Sequence, residues 1–137
     1  VGSEMCIRDR FNSDHLTLAL DVRINASGIP LLTTHGWTKS TQVSLWHLLE
    51  RYEKVGHKHV LCTDVDRDGT MAGPNIGLYE DCRKRWPNIE LQASGGIRNK
   101  SDLAALEGLK VSAAISGKAL LERKILIEEM VPYLPNA

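Results

Sequence analysis

Apolar positions along this chain follow two spacings in turn. Leu16-Thr17-Leu18-Ala19-Leu20 is a near-continuous apolar run ending at Asp21, which suits a strand of a covered parallel sheet. A period of two puts Thr17, Ala19 and Asp21 on one face and Leu18 and Leu20 on the other. Asn25 to Gly28 reads as a turn, Ile29 to Thr34 as a short strand or loop arm, and His35-Gly36-Trp37 as a loop. Val43, Leu45, Leu48, Leu49, Tyr52 and Val55 then recur at helical spacing, and Gly56 is the left-handed cap. Val60-Leu61-Cys62 is the next strand. Pro74 to Trp86 is a helix stopped by Pro87, and Ile89 to Ser94 is a strand running into Gly95-Gly96. Asn99 or Ser101 caps a short helix stopped at Gly108; Val111 to Ser116 is a last strand, running into Gly117-Lys118. Leu120, Leu121, Ile125, Ile127, Met130 and Val131 mark one closing helix.

A strand followed by a helix, four times over, predicts a parallel α/β sheet with right-handed crossovers. Four such units with helices on one side would be an open half of an eight-unit barrel; a flavodoxin-like sheet with helices on both faces is the alternative. An open half leaves its inner face and two edge strands bare, which predicts self-association. Residues 1–10 fit neither spacing and carry no signal-peptide core. They are expected to be a leader foreign to the fold, with residues 11–137 forming the barrel half.

The 137 residues suffice for one domain with a core, and the formal net charge of zero gives no reason to expect nucleic acid or an acidic membrane surface. Arg83-Lys84-Arg85 is the one basic cluster and reads as a solvated helix face. Cys6, Cys62 and Cys82 are an odd set without ligand spacing, which points to reduced thiols in a cytoplasmic protein. His57-x-His59 is the only close histidine pair and precedes a strand, so no metal is expected. No apolar run is long enough to span a bilayer.

The chemistry gathers at strand ends. Thr63, Asp64, Asp66 and Asp68 crowd the loop after the second main strand, where α/β proteins bind ligands. They cannot all be catalytic, and at least one shapes the loop through Asx-type hydrogen bonds. Asp21 ends its strand facing inward, where a carboxyl can serve as acid or base; a helix cap or an ion pair with Arg23 is the structural alternative. Trp37 is either a lid over helices or a flat surface for a planar ligand. Ser94-Gly95-Gly96 and Ser116-Gly117-Lys118 are glycine turns on neighbouring strands, able to bring backbone N–H groups close to a phosphate. Tight turns without a ligand would look similar. No Walker loop, dinucleotide fingerprint or Ser-His-Asp order is present.

Leu18 to Arg23 (LALDVR), His35-Gly36-Trp37, Leu61 to Gly73 (LCTDVDRDGTMAG), Gln92 to Ile97 (QASGGI) and Ile115 to Leu120 (ISGKAL) together resemble the phosphoribosylformimino-aminoimidazole-carboxamide ribotide isomerases of histidine biosynthesis. The resemblance implies the fifth to eighth units of a (βα)8 TIM barrel. It also implies an Amadori rearrangement of a bisphosphorylated aminoaldose to its aminoketose, with no cofactor, in an enzyme that is monomeric when intact. Carried over by position, Asp21 is the general acid, Thr63 and Asp68 assist positioning and proton transfer, and Trp37 stacks on the substrate. Gly95, Gly96, Gly117 and Lys118 hold a phosphate. Lys118 stands where arginine is usual, and Ser116 where valine is common. The family's base and second phosphate site lie in the other half, so this chain alone is expected to be inactive. The cyclase subunit of imidazole-glycerol-phosphate synthase, and a non-catalytic phosphate-binding half barrel, are the alternatives.

Overall fold

The computed structural model describes residues 13–34 and 36–134. The expectation for residues 1–10 falls outside them, as does the side chain of Cys6. A six-stranded sheet carries the fold, in the order β3-β2-β1-β4-β5-β6. The strands are β1 (Thr17–Ile24), β2 (Pro30–Thr34), β3 (Lys39–Ser44), β4 (His59–Asp64), β5 (Glu90–Ser94) and β6 (Ala113–Ile115). The helices are α1 (Leu45–Lys54), α2 (Ile76–Arg85), α3 (Lys100–Gly108), α4 (Lys118–Leu121) and α5 (Ile127–Met130). β1, β4, β5 and β6 are parallel neighbours, and β2 and β3 are an antiparallel arm laid against the end of β1.

Three crossovers that each advance one strand in the same direction, with the same hand, put their helices on one face of the sheet. Burial agrees. Val22, Val60, Cys62, Leu91 and Ala93 pack with Leu45, Leu49, Tyr79, Leu103 and Leu106 in one core. The alternate residues Thr17, Ala19, Asp21, Leu61, Gln92, Ser94, Ala113 and Ile115 stay outside that core. This one-sided sheet is in keeping with a partial TIM barrel and not with a doubly wound sheet. On the outer edge of β1 the arm pairs only with Val22 to Ile24, so Thr17 to Asp21 have no strand partner there among the described residues.

Helix ends show where local signals were enough. Gly56 is left-handed as expected, with φ of 75°, and Ser44 and Asn99 cap α1 and α3 through their side chains. α3 ends at Gly108 as expected, but the left-handed residue that closes it is Lys110, at φ of 57°, with its N–H and that of Val111 bonded back to Glu107 and Leu106. The single closing helix expected from the sequence is instead two separate turns. Arg123, at φ of 53°, ends α4 with Arg123 N on Leu120 O and Lys124 N on Ala119 O. This is a Schellman motif built without glycine. It leaves Leu121 86% and Ile127 73% exposed. Val43, taken as the start of a helical stripe, lies instead in β3, which pairs with β2.

Candidate functional site

Asp21 and Thr63 are direct partners in the β1–β4 ladder, so their side chains lie side by side on the sheet face away from the helices. Thr63 is only 8% exposed. The carboxylate of Asp21 is met from the arm: the indole N–H of Trp37 donates to its Oδ2 at 2.8 Å. Arg23 does not pair with Asp21. Its Nε donates to Asp66 at 2.9 Å and its Nη1 to the Trp37 carbonyl at 3.3 Å, so it links the arm to the loop after β4. Trp37 sits at φ of 69° and is 38% exposed. A left-handed conformation costs a tryptophan about 1–2 kcal/mol, so these two contacts offset backbone strain. As placed, Trp37 is neither packed over helices nor stacked on a ring; it covers a carboxylate.

The four polar groups at the end of β4 and in the loop after it divide their work. Asp64 is on the helix-facing side of the strand and 2% exposed. Its Oδ1 accepts from Asp66 N at 3.1 Å and its Oδ2 from Asn75 Nδ2 at 2.6 Å. Asn75 Oδ1 in turn accepts from Leu78 N at 3.1 Å and caps α2. One carboxylate therefore clasps both ends of the loop 65–75. Asp64 O also accepts from Arg67 N and Asp68 N, at 3.1 and 3.0 Å. Asp66 is the exposed partner of Arg23.

Asp68 is not beside Asp21. It lines a cleft of about 30 Å³ with Gly69, Gly95, Gly96, Gly117 and Lys118. Gly95 and Gly96 have φ of 100° and 82°, and a Cβ on Gly95 would come within 2.7 Å of Asp64 O. A Cβ on Gly96 would run into Gly73 O, and Gly73 N donates to Gly96 O at 2.9 Å. These glycines are thus required by the loop packed on them. Their own N–H groups donate to no partner among the described residues. Lys118 Nζ reaches across to Gly69 O at 2.8 Å, with Glu122 more distant at 3.9 Å. Because α4 is a single turn of four residues, little helix dipole is available at Gly117. Lysine charge and glycine amides supply what positive character the cleft has.

The site residues thus form two groups along one end of the parallel strands: Asp21, Trp37 and Thr63 at β1 and β4, and Asp68, Gly95, Gly96, Gly117 and Lys118 at β4, β5 and β6. A larger hollow of about 670 Å³ lies between α3, β6 and the last turns, lined by Leu103, Leu106, Val111, Ile125, Met130 and Tyr133. These linings are apolar, and Glu107, Ser112 and Ser116 add polar groups to the wall. Among the described residues no helix is long and apolar enough to cross a membrane. Cys62 and Cys82 are buried and unpaired; burial pushes the Cys62 thiol well up and that of Cys82 to about 12. Both therefore stay protonated and inert at neutral pH.

Two residues that support the site were not singled out from the sequence. Asn75 had a signal, an Asx residue just before an apolar helix. Tyr79, whose hydroxyl reaches the ends of β4 and β5, had none beyond its helical spacing.

The family described as histidine biosynthesis protein matches residues 5–126 of this chain. The chain belongs to that family.

Proposed function

We propose that this member of the histidine biosynthesis protein family is the isomerase that carries out the Amadori rearrangement of a bisphosphorylated aminoaldose. On this reading β1, β4, β5 and β6 are the fifth to eighth strands of a (βα)8 barrel. Asp21 as acid protonates the ribose ring oxygen, which opens the ring to a Schiff base. A base removes the neighbouring carbon-bound proton, and the enolamine tautomerises to the ketone. Thr63 holds the substrate beside Asp21, and Asp68 assists at the edge of the phosphate cleft. A phosphate monoester displaces Gly69 O from Lys118, exchanging a neutral acceptor for a charged one. The glycine amides complete its shell. The base belongs to the first barrel strand, which closes the barrel against the free edge of β6, so this chain binds the substrate without turning it over.

The observation that carries the reading is the adjacency of Asp21 and Thr63 with Trp37 on the carboxylate. An aromatic arm that already meets the acid is suited to cover a planar imidazole there, which favours the isomerase over the cyclase. Titration of the aminoaldose into the 137-residue chain tests this, with Trp37→Phe identifying the responding fluorophore. Saturable quenching without product is expected, weakened about tenfold by Lys118→Ala, as for loss of one charge-assisted contact. Absence of binding, or ammonia-dependent cyclisation once a complementary half is supplied, refutes the isomerase reading. Turnover by the chain alone refutes the external base.

A further inference from the structure

Helix α2 places Tyr79 entirely within the core, but its hydroxyl has a second task. It donates to Ser94 O at 2.6 Å, accepts from Ser94 N at 3.2 Å, and lies 3.3 Å from Cys62 O. With one proton to give, the shorter contact takes the larger share. Thr63 follows Cys62 and Gly95 follows Ser94, so one side chain spans the last positions before both parts of the site. Thr63 and Ser94 are also the last register pair between β4 and β5. Beyond them the strands part, one into the loop 65–75 and the other into the glycine turn.

From above, the turn packs closely under Asp64 O and is held by the bond from Gly73 N to Gly96 O. From below, the phenol is its attachment to the core. Burial raises the Tyr79 pKa, so the hydroxyl stays protonated and keeps both roles, donor and acceptor.

We propose that Tyr79 is a positioning residue for the anion-binding turn: anchored on Ser94, its hydroxyl sets the direction of the Gly95 and Gly96 amides and ties it to Thr63. This rests on the reading of the glycine turns and Lys118 as a phosphate site. A phenylalanine at 79 keeps the ring that fills the core. It takes the phenol away from Ser94 N and O, and the strand end shifts to recover hydrogen bonds.

The test is titration of the whole chain with inorganic phosphate, followed by calorimetry and by the amide resonances of Gly95, Gly96 and Gly117. Tyr79→Phe is expected to weaken phosphate about tenfold, the scale of one misplaced hydrogen-bond donor. The saturation shifts of Gly95 and Gly96 should change and that of Gly117 persist. Ile89→Val, a buried change just before β5, lowers stability without touching the turn, and its affinity should equal that of the unaltered chain. Unchanged affinity and unchanged glycine shifts in Tyr79→Phe overturn the positioning role and leave the phosphate reading standing. An unaltered chain whose glycine amides ignore phosphate overturns both. Should Tyr79→Phe fail to fold, fluorotyrosine in place of the three tyrosines decides, with Tyr52→Phe and Tyr133→Phe giving the assignments. A fluorine resonance at 79 that moves with phosphate supports the role, and one that stays fixed overturns it.

Discussion

The clasp between Asp64 and Asn75 can be tested by exchanging its two halves. The orientation of the Asn75 amide is set, because its Oδ1 accepts from Leu78 N at 3.1 Å and only its Nδ2 is left to face Asp64 Oδ2, at 2.6 Å. Asp64→Asn supplies a single acceptor where two donors, Asp66 N and Asn75 Nδ2, both need one. Whichever way the new amide turns, one donor faces another inside a site whose central residue is 2% exposed. The loss is one hydrogen bond to a charged group, about 2 kcal/mol. Asn75→Asp sets a second carboxylate against the first and costs about as much at neutral pH, with relief on acidification. The double exchange restores the pattern: the new amide at 64 donates to the new carboxylate at 75, still accepts from Asp66 N, and leaves an oxygen to cap α2. It should cost no more than about 1 kcal/mol, a coupling of about 3 kcal/mol in favour of the pair. Urea unfolding at pH about 7, with a shared slope for all four proteins, measures this. A double variant that loses the sum of the two singles refutes the clasp.

Three further outcomes follow from particular contacts. Gly96→Ala meets both a φ of 82° and the Gly73 carbonyl, whereas Gly69→Ala at φ of 68° meets nothing within 4 Å. Urea midpoints should therefore show a loss above about 3 kcal/mol for the first and about 1 kcal/mol for the second; equal losses would contradict the close approach. The hydroxyl of Ser116 is buried without a partner among the described residues, so Ser116→Ala should stabilise by about 1 kcal/mol and raise the melting temperature by about 3 °C. A lower melting temperature counts against it. The hydrogen bonds from the Arg98 side chain, with one more from Arg98 N, hold the Asp102 carboxyl below its ordinary value of 3.8. A depressed folded pKa means stability that is present above the unfolded value and lost as pH falls through the folded one. Asp102→Asn should lower stability at neutral pH and flatten the acid limb below about pH 4; parallel acid limbs would show that the pair does not set it.

The sequence by itself determined the alternation of strands and helices, and with it the parallel part of the sheet. A strand between helices must show apolar residues at period two on one face, and a helix at its own period, so burial is written into spacing. It also determined the glycine turns and the cap at Gly56, and narrowed the start of α3 to Asn99 or Ser101, because those conformations select their residues locally. Spacing says which face is covered and nothing about what lies across from it. Only the tertiary structure decided that Asp64 turns inward as a clasp, that Asp68 lines the glycine cleft, and that Trp37 lies on the Asp21 carboxylate. β3 pairs because β2 is beside it. The left-handed ends at Lys110 and Arg123 exist because packing outweighs a penalty that glycine would have avoided, so no local signal marks them. Tyr79 reads as one more apolar helix position until its hydroxyl is found between two strand ends far away in sequence.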